Sequence, residues 1–444
     1  MAAVLGWSRF GDTRTDPRVA GRRLSGWFRE TVRDPILWTM VEQQPGALVF
    51  GGPTLGMAVT VFAHSGNRAV PFLADELLRS SRDAPVSEFL EEMNRRLPPT
   101  MKMAGLERQE RVEAALGLLA RAGVPLSDLE PALEPLLSSS QPWVRGVGIR
   151  ALACARDESG AVVRRILPYL RSADTTEVRS ALKALERHGK WAVLAAEDLL
   201  RLHEAKLVMP VLRSLLGACG PSAERALPGL EAEWRAATDR TARLDLALVI
   251  CRIRPGHPEA WPFLESAARG EKRSLPDRIQ PMQLARQIRH SRIGDLQFVP
   301  LLQEVLRHET NDLRNPLEIA GCIQWADPGV ADRSLRGLAK GVGETNRFLA
   351  TLVMSRLLAF QPTNVFAREA LIREVSAPDE PGGVGKVWAI RSLCACGDLT
   401  PTLCEKLEAM ANDPKRHASL STELRGYVRW ARLLETLGAE SAKP

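Results

Sequence analysis

The sequence predicts an all-α superhelical solenoid, a stack of about ten or eleven helical hairpins, and three observations lead there. First, a phrase of two apolar residues, a proline, any residue and a leucine keeps returning: Ala69-Val70-Pro71-Phe72-Leu73, Ile166-Leu167-Pro168-Tyr169-Leu170, Ala226-Leu227-Pro228-Gly229-Leu230, Ala260-Trp261-Pro262-Phe263-Leu264 and Phe298-Val299-Pro300-Leu301-Leu302. The prolines lie 97, 60, 34 and 38 residues apart, close to multiples of a unit slightly over 30, and the weaker Leu129-Glu130-Pro131-Ala132-Leu133 fills one gap. Second, 444 residues exceed what one hydrophobic core serves, whereas the core of a stack grows with length. Third, between the phrases apolar residues recur every three or four positions, as at Val144, Val147, Leu152 and Ala155, or Val178, Ala181, Leu182 and Leu185.

Residues 1–53 read as an amino-terminal cap. Within them Asp16 to Asp34 reads as an amphipathic helix, with Leu24, Trp27, Phe28 and Thr31 on one face and Arg18, Arg22, Arg29 and Arg33 largely elsewhere. Such a helix can lie on anionic lipid, but capping the first repeat with its apolar side down is the preferred reading. The uncharged run Ala47 to Ala63 is broken by Gly51, Gly52 and Pro53, and reads as a loop and a buried helix, not a membrane span.

Residues 54–437 form the predicted stack, and 438–444 a short tail. In each hairpin the proline phrase falls near the start of a first helix, A, where a missing amide donor costs least. A second helix, B, follows. Thr54 to His64 and Leu106 to Gly123 read as early B helices, and later ones start near 142, 176, 204, 238, 277, 310, 343, 382 and 415. Ser81 to Met103, Gly270 to Pro276 and Ala377 to Pro381 read as insertions.

The proline phrase, together with Pro142-Trp143-Val144-Arg145 and Thr176-Glu177-Val178-Arg179, which share Val and Arg in register 34 residues apart, resembles HEAT repeats, in particular the bacterial type similar to phycobilisome lyase repeats. Beyond Lys340 the phrase survives only as Leu399-Thr400-Pro401-Thr402-Leu403. The resemblance implies a right-handed superhelix with B helices lining a concave face and A helices a convex one. It implies no activity, because such families hold scaffolds, adaptors, lyase subunits, a metal hydroxylase and DNA glycosylases.

On that placement the inner face is predicted to be basic. The B helices from 142 to 292 carry sixteen basic residues against six acidic, whereas the A helices of the same region carry seven against nine. A concave basic surface concentrates acidic partners. Arg179, Lys183, Arg243, Arg286 and Arg289 are the predicted contacts. The alternative is that the arginines bind acids of adjacent repeats as an internal ladder. The overall excess of +7 is mild for a nucleic-acid binder of this length and no aromatics interleave the basic residues, so an acidic protein segment is the expected ligand and nucleic acid the second choice.

No catalytic constellation is present, and the expectation is a non-enzymatic scaffold or adaptor without cofactor. The His203-Glu204 and His308-Glu309 pairs, placed at the turns into B helices, resemble the iron-holding pairs of deoxyhypusine hydroxylase, which uses four; two cannot form that site. Glu204 and Glu309 read instead as acids near helix N-termini. Trp143, Trp191, Trp234, Trp261 and Trp325 occupy different repeat positions, as packing residues do and a glycosylase cluster would not. His64, His188, His257, His290 and His417 stand alone, and the seven scattered cysteines read as small buried side chains. The start MAAVLGWSRF lacks a secretory pattern, so the expected location is the cytoplasm.

Overall fold

The computed structural model describes residues 16–32, 53–81, 104–156, 159–205, 210–269, 284, 298, 300–301, 347–360, 363–377, 384–396, 401–412 and 418–441. Their structure is almost entirely helical. The exception is a hairpin of two short strands, β1 (Arg18–Val19) and β2 (Arg22–Arg23), joined by Ala20 and Gly21. Both turn residues have positive φ, 50° and 74°, so the chain reverses in two residues. The helix expected over 16–34 therefore begins only at Leu24, as α1 (Leu24–Val32). Asp16 fixes that start by accepting from the Ser25 amide at 2.9 Å and its hydroxyl at 2.8 Å.

Most of the helices that follow come in pairs. α2 (Pro53–Ser65) and α4 (Ala104–Ala122) are of B type, with α3 (Val70–Ser80) between them. Next are α5 (Leu126–Leu137) with α6 (Pro142–Leu152), then α7 (Ala161–Ile166) and α8 (Thr175–Glu186), α9 (Ala196–Glu204) with α10 (Pro210–Ala218), and α11 (Leu227–Ala236) with α12 (Arg240–Ile253). After α13 (Ala260–Ala268) come α14 (Arg347–Phe360) with α15 (Val365–Ser376), then α16 (Val384–Ala395), and α17 (Pro401–Ala411) with α18 (Ala418–Ser441). Among the described residues no helix is long and apolar enough to cross a membrane.

Among the described residues, Pro71, Pro168 and Pro228 mark a joint within the A helix, whereas Pro262 lies in the first turn of the helix Ala260–Ala268 and Pro131 inside the helix Leu126–Leu137. Pro71 and Pro228 are the second residues of α3 and α11, each preceded by a 3-10 turn, Gly66–Ala69 and Gly220–Ala226. Pro168 is the second residue of the 3-10 turn Leu167–Arg171 that follows α7. Having no amide to donate, proline sits where α-helical and 3-10 hydrogen bonding change over without loss. The B helices expected near 277 and 310 lie outside the described residues; the described ones start within a few residues of expectation, except that the one placed at 204 begins at Pro210. The A helix before it runs on through Glu204, and Pro210, a good first residue of a helix, is the signal that the apolar spacing hid.

The chain divides into two compact units, one of residues 1–158, 174–180 and 390–444, the other of 159–173 and 181–389. In the first, α1 lies on α2 with Leu24, Trp27, Phe28 and Thr31 buried and Phe28 edge-on to Phe72 at 5.8 Å. The apolar face that lipid would need is thus covered. α2 also packs against α4 and against α18. A linear stack leaves its first and last repeats apart; here the last helix returns to the first B helix. Gly56 makes room for the Trp430 indole, and Gly426 makes room for Pro53. In the second unit α12 is the hub, packing on α10, α11 and α13, and its buried Arg252 crosses α10 at Gly217 to lie 5.3 Å from the Phe298 ring centroid.

Candidate partner-binding surface

The B helices of the first unit are linked by ion pairs. Arg150 of α6 donates two hydrogen bonds to Glu113 of α4, at 2.8 and 2.5 Å. From the same helix Arg145 reaches the other way, to Glu177 of α8, and also donates to the Ser139 carbonyl at 2.7 Å. Gly146 permits this approach, because a Cβ there would stand 2.6 Å from the Ser180 hydroxyl. The partners are 37 and 32 residues apart in sequence, one repeat each. The Glu177 side chain keeps only 9% of its surface, so this pair is largely desolvated. At these arginines, the internal ladder is the arrangement found.

Arg179 and Lys183 differ. They lie one turn apart on α8, both exposed, and neither has an ion-pair or hydrogen-bond partner among the described residues. The B helix next in sequence, α10, contains no carboxylate. Its one cation, Arg213, is itself held by Glu233 of α11 at 2.7 Å.

Arg243 is not beside these two as a surface charge. It is half-buried, its guanidinium 5.7 Å from the Trp234 ring centroid and 5.4 Å from that of Phe263. Its buried Nε donates to no oxygen and faces aromatic rings instead. Arg286 and Arg289 lie outside the described residues. Of the five predicted contacts, then, the structure brings two together and places a third in an aromatic crevice.

In the second unit several exposed arginines of the A side meet carboxylates. Arg171 binds Asp198 through two hydrogen bonds, at 2.8 and 3.0 Å, which raise the guanidinium further above its ordinary value. Arg225 bridges Glu197 at 3.2 Å and Glu204 at 2.9 Å, and Arg254 meets Glu224 at 2.7 Å. Arg235 lies 3.1 Å from Glu259 and holds that carboxyl below its ordinary value. Asp245 of α12 goes the opposite way: burial pushes its carboxyl up, against the pull of Arg252 and Arg213.

His257 serves structure. His257 Nδ1 accepts from the Ala260 amide at 3.2 Å, which leaves Nε2 to carry the proton and donate to Glu231 at 3.0 Å. Nδ1 thereby starts α13, while Nε2 ties that start to Glu231 of α11. His203 and Glu204 sit in the last turn of α9, not at a B-helix start, so the helix-dipole role expected for Glu204 does not hold; it pairs with Arg225. His308, Glu309, His290, His417 and Trp325 fall outside the described residues. Among those described, no three His, Cys, Asp or Glu side chains converge as metal ligands would. Cys219 and Cys251 are buried and pushed up to about 12, so they remain thiols. Trp143 donates to the Ser81 carbonyl at 3.1 Å, and Trp261 stacks on Phe298 at 6.1 Å.

No protein-family model matches this sequence, and no characterised protein is significantly similar to it.

Proposed function

We propose that the protein is a non-enzymatic scaffold or adaptor, built as a HEAT-like solenoid, that holds an acidic segment of a protein partner against its B helices. The observation that carries this reading is the pair Arg179 and Lys183, exposed one turn apart on α8 with no partner among the described residues. Arg145 and Arg150 already have acids, so an incoming carboxylate would have to displace Glu177 or Glu113. Arg179 and Lys183 ask for no such exchange. Their single-turn spacing suits successive carboxylates of an extended or helical peptide, and the field they project draws an acidic ligand in before contact.

The test is a calorimetric titration with a hexaglutamate peptide. The wild-type protein should bind it saturably and more weakly as salt rises. Arg179→Glu combined with Lys183→Glu should reduce the affinity at least about tenfold, equivalent to about 1.4 kcal/mol, with an unchanged circular dichroism spectrum. Equal affinity in the double variant refutes the proposal. Binding of duplex DNA in preference to the peptide, with a steep salt dependence, would replace it with a nucleic-acid function.

A further inference from the structure

The amino-terminal hairpin is built against its own stability. Its register pairs Arg18 with Arg23 and Val19 with Arg22. Directly opposed residues of an antiparallel pair share a face, and like charges so placed repel. Ala20, in the turn, is the only residue other than glycine with positive φ among those described, a conformation that a Cβ disfavours. Two unfavourable choices thus meet within six residues.

The inner face holds the hairpin closed despite both. Val19 is buried and its carbonyl accepts from the Trp27 indole at 3.3 Å, while Arg22 lies 4.9 Å over the Trp27 ring and 3.0 Å from Glu30. On the outer face Arg18 is exposed with no partner among the described residues. Arg23 comes only within 3.9 Å of Asp16, whose two carboxylate oxygens are occupied by Ser25. If the hairpin only capped the first helices, a neutral pair and an Asn-Gly or Gly-Gly turn would serve better. What the observed arrangement gains is two guanidinium groups on one outward face, Arg18 without a partner among the described residues and Arg23 with only a long ion pair to Asp16.

We infer that the outer face of the hairpin is a binding site for a phosphate group, which Arg18 and Arg23 hold from both sides. Guanidinium groups match phosphate oxygens through paired N–H donors, and an anion between the arginines turns their repulsion into attraction. The site is separate from α8 and stands or falls apart from the function proposed above. The phosphate source is a free phosphate or a lipid headgroup; the apolar face of α1, being buried, takes no part.

The experiment titrates the full chain with inorganic phosphate by calorimetry and sediments it with phosphatidylcholine vesicles with and without phosphatidic acid. Arg18→Thr and Arg23→Thr, good strand residues without charge, should each weaken binding at least about tenfold while raising the melting temperature in phosphate-free buffer. Ala20→Gly, which relaxes the turn and leaves both arginines in place, should raise the melting temperature and keep binding. Binding of inorganic phosphate lost in the threonine variants supports a free ligand, and vesicle binding alone, lost in the same variants, supports a headgroup. Absence of both, or binding undiminished in the threonine variants, overturns the inference.

Discussion

The indole N–H of Trp430 donates to the hydroxyl of Thr60 at 3.1 Å, joining residues 370 positions apart in the chain. Thr60 donates onward to the Gly56 carbonyl at 2.8 Å, and Gly56 lies under the same indole, where a Cβ would stand 2.2 Å from the ring. Trp430 is fully buried. One side chain from the last helix thus supplies the packing, the hydrogen bond and the steric fit that complete the first unit.

Gly56→Ala should therefore destabilise the protein by about 1–3 kcal/mol through overpacking. Thr60→Val, similar in shape but without the acceptor, leaves a buried indole donor unpaired and should cost about 1–3 kcal/mol. Urea denaturation measures both. A cost near zero for each would mean that the α2–α18 contact does not contribute to the folded state.

Ion pairs in this protein should differ in value according to burial. Arg145→Ala strands the nearly buried Glu177 carboxylate and should cost about 1–3 kcal/mol or more. Arg225→Ala removes two pairs whose side chains stay well over half exposed, and should cost at most about 1 kcal/mol, vanishing at high salt. Denaturation midpoints at low and high salt give the comparison.

His257→Ala should destabilise the start of α13 by about 0.5–2 kcal/mol, because the first amides of that helix lose their acceptor. His257→Asn, which restores an acceptor on a short side chain, should recover part of the loss. Thermal melts of the two variants beside wild type decide this.

Asp245 sets a pH dependence. Its folded-state carboxyl titrates above its ordinary value, so its contribution to stability is greatest below the unfolded-state value and declines as pH rises through the folded-state one. Asp245→Asn removes that decline. The variant should melt higher than wild type at neutral pH, and the difference should close once the pH falls below the ordinary carboxylate range, about 3.9. A variant that melts lower at neutral pH would show that Arg252 and Arg213 outweigh the burial cost.

Much of the helix pairing was legible because periodic leucine, valine and alanine leave little choice of buried face: α2, α4, α6 and α8 start within a few residues of expectation. The apolar face of α1 was legible for the same reason. The hairpin before it was not, since Arg18 to Arg23 carries no strand periodicity and its turn uses Ala20 in place of the usual Asn or Gly. Nor was the destination of each arginine. Formal charge counts treat Arg145, Arg179 and Arg243 alike, yet one meets a carboxylate a repeat away, one meets solvent and one meets two aromatic rings. Those outcomes depend on which residue the neighbouring helix presents, and Gly146, by letting α6 approach α8 closely, decides the first.

The most direct test of the account compares two double variants in the hexaglutamate titration. Arg179→Gln with Lys183→Gln should lower affinity and leave the melting temperature almost unchanged. Arg145→Gln with Arg150→Gln should lower the melting temperature and leave affinity almost unchanged. Should the second pair of substitutions abolish binding while the first leaves it intact, the paired arginines and not the unpaired cations would carry recognition, contradicting the account.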